Sequence, residues 1–62
     1  MPTIHVYLYS GRTLDQKRKL VQNITDSTVK SLDVDPEVVK ITLFDVSKEN
    51  TAKAGKLIID TD

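Results

Sequence analysis

The most specific chemistry this sequence offers sits at its second residue. The chain begins Met1-Pro2, and methionine aminopeptidases remove an initiator methionine when the next side chain is as small as proline. Pro2 would then carry a secondary amine. No internal position can make that group, because an internal proline nitrogen is an amide without a basic lone pair. A free terminal amine titrates at about 7.7–8.0, close to where a general base works best. Burial beside apolar groups and a nearby cation would each lower that value further. The alternative is that Pro2 only begins an edge strand, where its missing N–H costs nothing.

Other chemistries are thinly supplied. The 62 residues contain no cysteine, which removes disulfides, iron–sulfur clusters and thiolate zinc sites. One histidine, His5, is too few for a histidine metal cage and reads as a sheet residue. No cofactor or metal is expected. Nine basic and nine acidic side chains give a formal net charge of zero, which argues against nucleic acid or an anionic membrane as partner. No apolar run reaches membrane-spanning length, and the N-terminus lacks a hydrophobic signal core. A cytoplasmic location is the expectation.

Three elements must position the proline. Thr3–Tyr9 alternates, with Ile4, Val6 and Leu8 on one face and Thr3, His5, Tyr7 and Tyr9 on the other, which predicts a strand. Ser10-Gly11 breaks it. Thr13-Leu14-Asp15-Gln16 has the form of a capping box. From about Leu14 to Ser31 the spacing predicts a helix with Leu14, Leu20, Val21, Ile24 and Leu32 on one side and Val29 at its edge. Asp33–Pro36 is a loop, since Pro36 disfavours helix at the residue before it. Glu37–Val46 reads as a second strand, Ser47–Ala54 as a polar loop, and Leu57–Ile59 as a small edge strand or hairpin arm.

Strand, helix, strand predicts an α/β chain: one βαβ domain over residues 1–62, with parallel strands, a right-handed crossover and one amphipathic helix. Both faces of the second strand are substantially apolar, as in buried parallel sheets. A single helix covers only one. A chain this short is also marginal alone, so a homo-oligomer is expected on two separate grounds.

Met1-Pro2, the first strand, "GRT" at Gly11–Thr13, the amphipathic helix, the second strand and "AGK" at Ala54–Lys56 follow one another at a spacing that resembles the 4-oxalocrotonate tautomerase family over nearly the whole chain. The resemblance implies a βαβ protomer that pairs into a four-stranded sheet backed by two helices, with three pairs forming a hexamer. It implies keto–enol tautomerisation of a small carboxylate substrate, a 2-hydroxydienoate or enol α-keto acid, with Pro2 as general base and acid.

Arg12 matches the family's carboxylate-binding arginine, often presented across a subunit boundary, and a guanidinium fork suits a carboxylate. Its alternative is an exposed arginine near a helix start. Lys40 stands where the family has a second arginine; it keeps the charge but loses the two-point geometry, and a solvated strand lysine reads equally well. Thr51 replaces a family aromatic that helps keep the pocket dry. Leu8, Ile41 and Phe44 are expected in the core or an interface, and Tyr7 and Tyr9 in interface packing. Two rival readings are a decarboxylase, hydratase or dehalogenase on the same scaffold, and a non-catalytic self-associating protein.

Overall fold

The computed structural model describes residues 1–61. Strand β1 (Thr3–Tyr9) leads into helix α1 (Leu14–Leu32), and the chain returns as strand β2 (Lys40–Val46). β1 and β2 pair in parallel, with Ile4 opposite Ile41, Val6 opposite Leu43, Tyr7 opposite Phe44 and Leu8 opposite Asp45. This is the predicted βαβ unit. A short hairpin of β3 (Ala52–Lys53) and β4 (Lys56–Leu57) follows, closed by Ala54-Gly55. Both turn residues have positive φ, 55° and 83°, the geometry that a two-residue hairpin loop demands.

The helix forms as its capping signal predicts. Gln16 N–H donates to Thr13 Oγ1 at 3.1 Å, and Thr13 N–H donates to Gln16 Oε1 at 3.0 Å. Its other end closes at Asp33, which takes a left-handed conformation and donates its N–H to the Val29 carbonyl. The face turned to the sheet carries half-buried Lys17, Leu20, Val21, Ile24, Thr25, Thr28 and Val29. Leu14 and Leu32 share the stripe but are left uncovered, at 62% and 58% exposure. Sitting at the two helix ends, they overhang the seven-residue strands. Lys17 falls on the covered face by its helical spacing from Leu20, Val21 and Ile24, and its Nζ lies 2.9 Å from Asp45 Oδ2 near the end of β2.

The second strand is shorter than its composition predicts. It begins at Lys40, because Pro36–Val38 forms a 3-10 turn. Pro36 supplies a fixed φ at the first position of the turn, and Glu37 N–H donates to Asp35 Oδ1 at 3.0 Å. Local capping thus outcompetes the β-branched pair Val38-Val39. Within Ser47–Ala54, read as a plain loop, Lys48–Asn50 forms another 3-10 turn and Ala52–Lys53 pairs as β3. Of the apolar run, only Leu57 is in a strand; Ile58–Asp60 turns away.

Among the described residues no side chain is fully buried. Ile4, Val6 and Leu8 are half-covered on the helix side, whereas Thr3, His5, Tyr7 and Tyr9 are exposed. The Cα radius of gyration is 14.8 Å, and the protomer measures 42 × 25 × 15 Å. A compact chain of this length has a radius of about 11 Å. The shape is that of a piece of a larger body. Folding is therefore expected to depend on association: in thermal denaturation the midpoint rises with protein concentration, whereas a self-sufficient monomer gives a constant midpoint.

Candidate active site

Pro2 stands directly before β1, half-buried, and its carbonyl accepts a hydrogen bond from Lys40 N–H at 3.0 Å. Lys40 begins β2 opposite Thr3. The parallel register thus brings two of the three sequence-identified residues to the same end of the sheet. Met1 precedes them at 95% exposure, so the Met1–Pro2 bond is open to solvent. With that bond intact the Pro2 nitrogen is an amide.

Arg12 is not with them. It follows β1, whose seven residues span about 23 Å. Pro2 and Arg12 of one chain therefore occupy opposite ends of a strand too long for side chains to bridge. Gly11, with φ at 112°, makes the turn that carries the chain from β1 toward the helix. A side chain there would meet open space but would be strained by the backbone angle itself. Thr13, locked in the capping box, fixes the position from which Arg12 projects.

Three concavities open at this far end. One of about 340 Å³ lies between helix and sheet, lined by Leu8, Arg12, Gln16, Lys17 and Leu20. A second of about 480 Å³ is lined by Tyr7, Leu8, Tyr9, Val46 and Thr51. The third, about 300 Å³, is lined by Tyr9, Ser10, Gly11, Arg12 and Lys48. Thr51, which stands where the resemblance implies an aromatic wall, does line a hollow, and two tyrosine rings share it. Tyr9 and Lys48 border the Arg12 site, which sequence reasoning missed. Tyr9 alternates toward the open face, and Lys48 sits two residues beyond the end of β2; only the parallel register brings them together. His5 is a sheet residue, edge-on to Phe44 at 5.3 Å between ring centroids. No three His, Cys, Asp or Glu side chains among the described residues converge as a metal-holding group.

Comparison with known proteins defines the class. Residues 2–61 match the family described as tautomerase enzyme, so the chain is a tautomerase, an isomerase of the amino-terminal-proline type. It is 33% identical to a probable tautomerase of Halalkalibacterium halodurans, over 97% of this chain and 98% of the relative. It is 31% identical to the 2-hydroxymuconate tautomerase of Bacillus subtilis, over the full length of both. A solved 4-oxalocrotonate tautomerase isozyme from Methylibium petroleiphilum superposes with a TM-score of 0.89 at 38% identity, covering 94% of this chain and 91% of that one. The chain belongs to the 4-oxalocrotonate tautomerase family.

The capping box sets the placement of Arg12, and its removal is measurable. Thr13→Ala is expected to destabilise each protomer by about 1 kcal/mol, read from urea denaturation at fixed protein concentration. Thr13→Ser, which keeps the accepting oxygen, restores most of it. Equal stability of Thr13→Ala and the parent would exclude this role for the cap.

Proposed function

We propose that the chain, once Met1 is removed, ketonises a 2-hydroxydienoate or a related enol α-keto acid with Pro2 as the proton carrier. The observation that carries this reading is the placement of Pro2 at the head of β1, tied to β2 at Lys40, in a chain matching the tautomerase family from residue 2 onward. The similar protein from Bacillus subtilis is a 2-hydroxymuconate tautomerase, which supports a dienol carboxylate as the substrate class.

The proposed reaction balances without an external reagent. The neutral Pro2 amine takes the proton from the 2-hydroxyl group, the oxygen becomes a carbonyl, and the conjugated double bonds shift. The protonated amine then returns that proton to carbon, so one O–H bond is lost and one C–H bond forms. Lys40, at the same sheet end, is assigned to the carbonyl and its adjacent carboxylate. A lysine serves there as a point charge rather than a two-point fork. Arg12 is assigned to the far carboxylate and comes from a neighbouring subunit, because its own Pro2 is a strand length away.

The assembly we propose is a hexamer built from dimers. The open sheet face supports it, since His5, Tyr7, Tyr9 and Phe44 present aromatic surface that the one helix does not cover. So does the absence of a buried side chain among the described residues of the protomer.

The deciding experiment follows ultraviolet-monitored ketonisation of 2-hydroxymuconate by protein verified by mass to lack Met1, beside its Pro2→Ala variant. Turnover by the parent should fall by a factor of about 100 or more in the variant, the range expected on losing a general base. A base works as the neutral amine, so kcat/KM should rise with pH through the Pro2 pKa and level off above it. A fall over the same range would instead make Pro2 an acid and favour a hydratase or decarboxylase. Lys40→Arg should raise kcat/KM several-fold, because it adds the two-point contact. An unchanged kcat/KM in that variant would remove Lys40 from the substrate's path.

A further inference from the structure

Among the cations outside the ion pairs of the described residues, Arg12 and Lys48 stand together at one end of the β1–β2 sheet. Lys17 is paired with Asp45 at 2.9 Å and Arg18 with Asp15 at 2.7 Å. Those are the ion pairs among the described residues, and neither Arg12 nor Lys48 is in them. Both instead line the same concavity of about 300 Å³, with Tyr9, Ser10 and Gly11 completing its wall. Two unpaired like charges around one hollow repel each other, and an anion placed between them removes that repulsion.

Their proximity is built by the backbone. Ser10 donates twice to the Val46 carbonyl, from its N–H at 2.9 Å and from its hydroxyl at 3.3 Å. This fastens the chain just before Gly11-Arg12 to the chain just before Ser47-Lys48. Ser47 then starts the 3-10 turn that carries Lys48, accepting from Glu49 N–H on its Oγ at 3.1 Å. The lysine is steadied by an aromatic face, its Nζ lying 5.7 Å from the centre of the Tyr9 ring. That contact holds an ammonium without neutralising it, so the charge remains available to a ligand.

We propose that Lys48 is a second carboxylate contact beside Arg12, and that the pair selects substrates bearing a carboxylate remote from the enol. This rests on the reading of Arg12 as the carboxylate-binding residue. It adds a specificity-determining residue, and it makes Tyr9 a positioning residue for that lysine. Arg12 supplies the planar fork and Lys48 a point charge held beside the Tyr9 ring; together they discriminate a dicarboxylate from a monocarboxylate.

The test uses binding, so that it does not depend on turnover. Dissociation constants for (E,E)-muconate and for sorbate are measured by calorimetry on the Met-free assembly. The two probes share a six-carbon diene and differ in the second carboxylate. Wild-type protein should prefer muconate, and Lys48→Gln should lower that preference about tenfold, the equivalent of about 1.4 kcal/mol. Lys48→Arg should recover most of it. Lys30→Gln, the same charge change in the last helical turn, should match wild type. The muconate preference of wild type should also weaken with added salt, and more steeply than that of Lys48→Gln. If Arg12→Gln loses the preference while Lys48→Gln keeps it within twofold of wild type, the assignment of Lys48 is overturned and that of Arg12 stands. If wild type shows no preference, or if both variants keep it, both assignments are overturned.

Discussion

A two-stranded sheet has two faces, and here a single 19-residue helix lies against one of them. On the other face Tyr7 stacks on Phe44 with ring centroids 4.8 Å apart, and His5 meets the same ring edge-on. Burying a large apolar side chain is worth about 1.5–3 kcal/mol, and this protomer leaves Tyr7 67% exposed. The missing burial has to come from copies of the chain or from another partner. Much else follows from that shortage. The elongated shape, the outlying hairpin and the separation of Pro2 from Arg12 all make sense in a chain that completes itself only by association.

Within the protomer, precision is concentrated at the strand ends rather than in a core. The parallel register sets Pro2 beside Lys40 through a backbone hydrogen bond. At the opposite end, the Ser10–Val46 contacts, the Gly11 turn and the Thr13–Gln16 box position Arg12 and Lys48. The Lys17–Asp45 pair adds a tie between the first turns of the helix and the end of β2. Its two side chains are 27% and 45% exposed, so solvent screens it and its contribution to stability is modest. Its placement still matters, since it fastens the helix start to the edge where the cations gather.

Much of this was legible in the sequence because the signals were local and periodic. Alternation marked β1, the capping box marked the helix start, and a sheet face that one helix cannot cover marked the need for partners. The failures also have physical reasons. Val38 and Val39 look like strand residues, but Asp35 and Pro36 impose a turn that composition alone does not weigh. Leu14 and Leu32 fit the helical stripe, yet a helix longer than its sheet leaves its ends uncovered. Lys17 falls within the helical stripe by spacing, but its partner Asp45 is known only once the fold brings the two together. Lys48 and Tyr9 were out of reach for a different reason: they are 39 positions apart, and only the register of two strands joined through a helix makes them neighbours. Pro2 was the reverse case. Its candidate chemistry was suggested by Met1-Pro2 together with the family resemblance along the chain, whereas its relation to Arg12 required the length of a strand.

That strand length has a consequence for how such a protein changes over generations. Under the proposed assignment each chain contributes its proline to one reaction centre and its arginine to a different one. The two ends of β1 are then inherited together but operate apart. A chain damaged at its proline end still serves its neighbour through its arginine end, so two defective chains of opposite kind, co-assembled, regenerate some intact centres. After gene duplication, one copy is free to drift at the proline end and its sister at the arginine end. An ancestor made of identical chains would thereby become an obligate partnership of unlike ones without passing through an inactive stage.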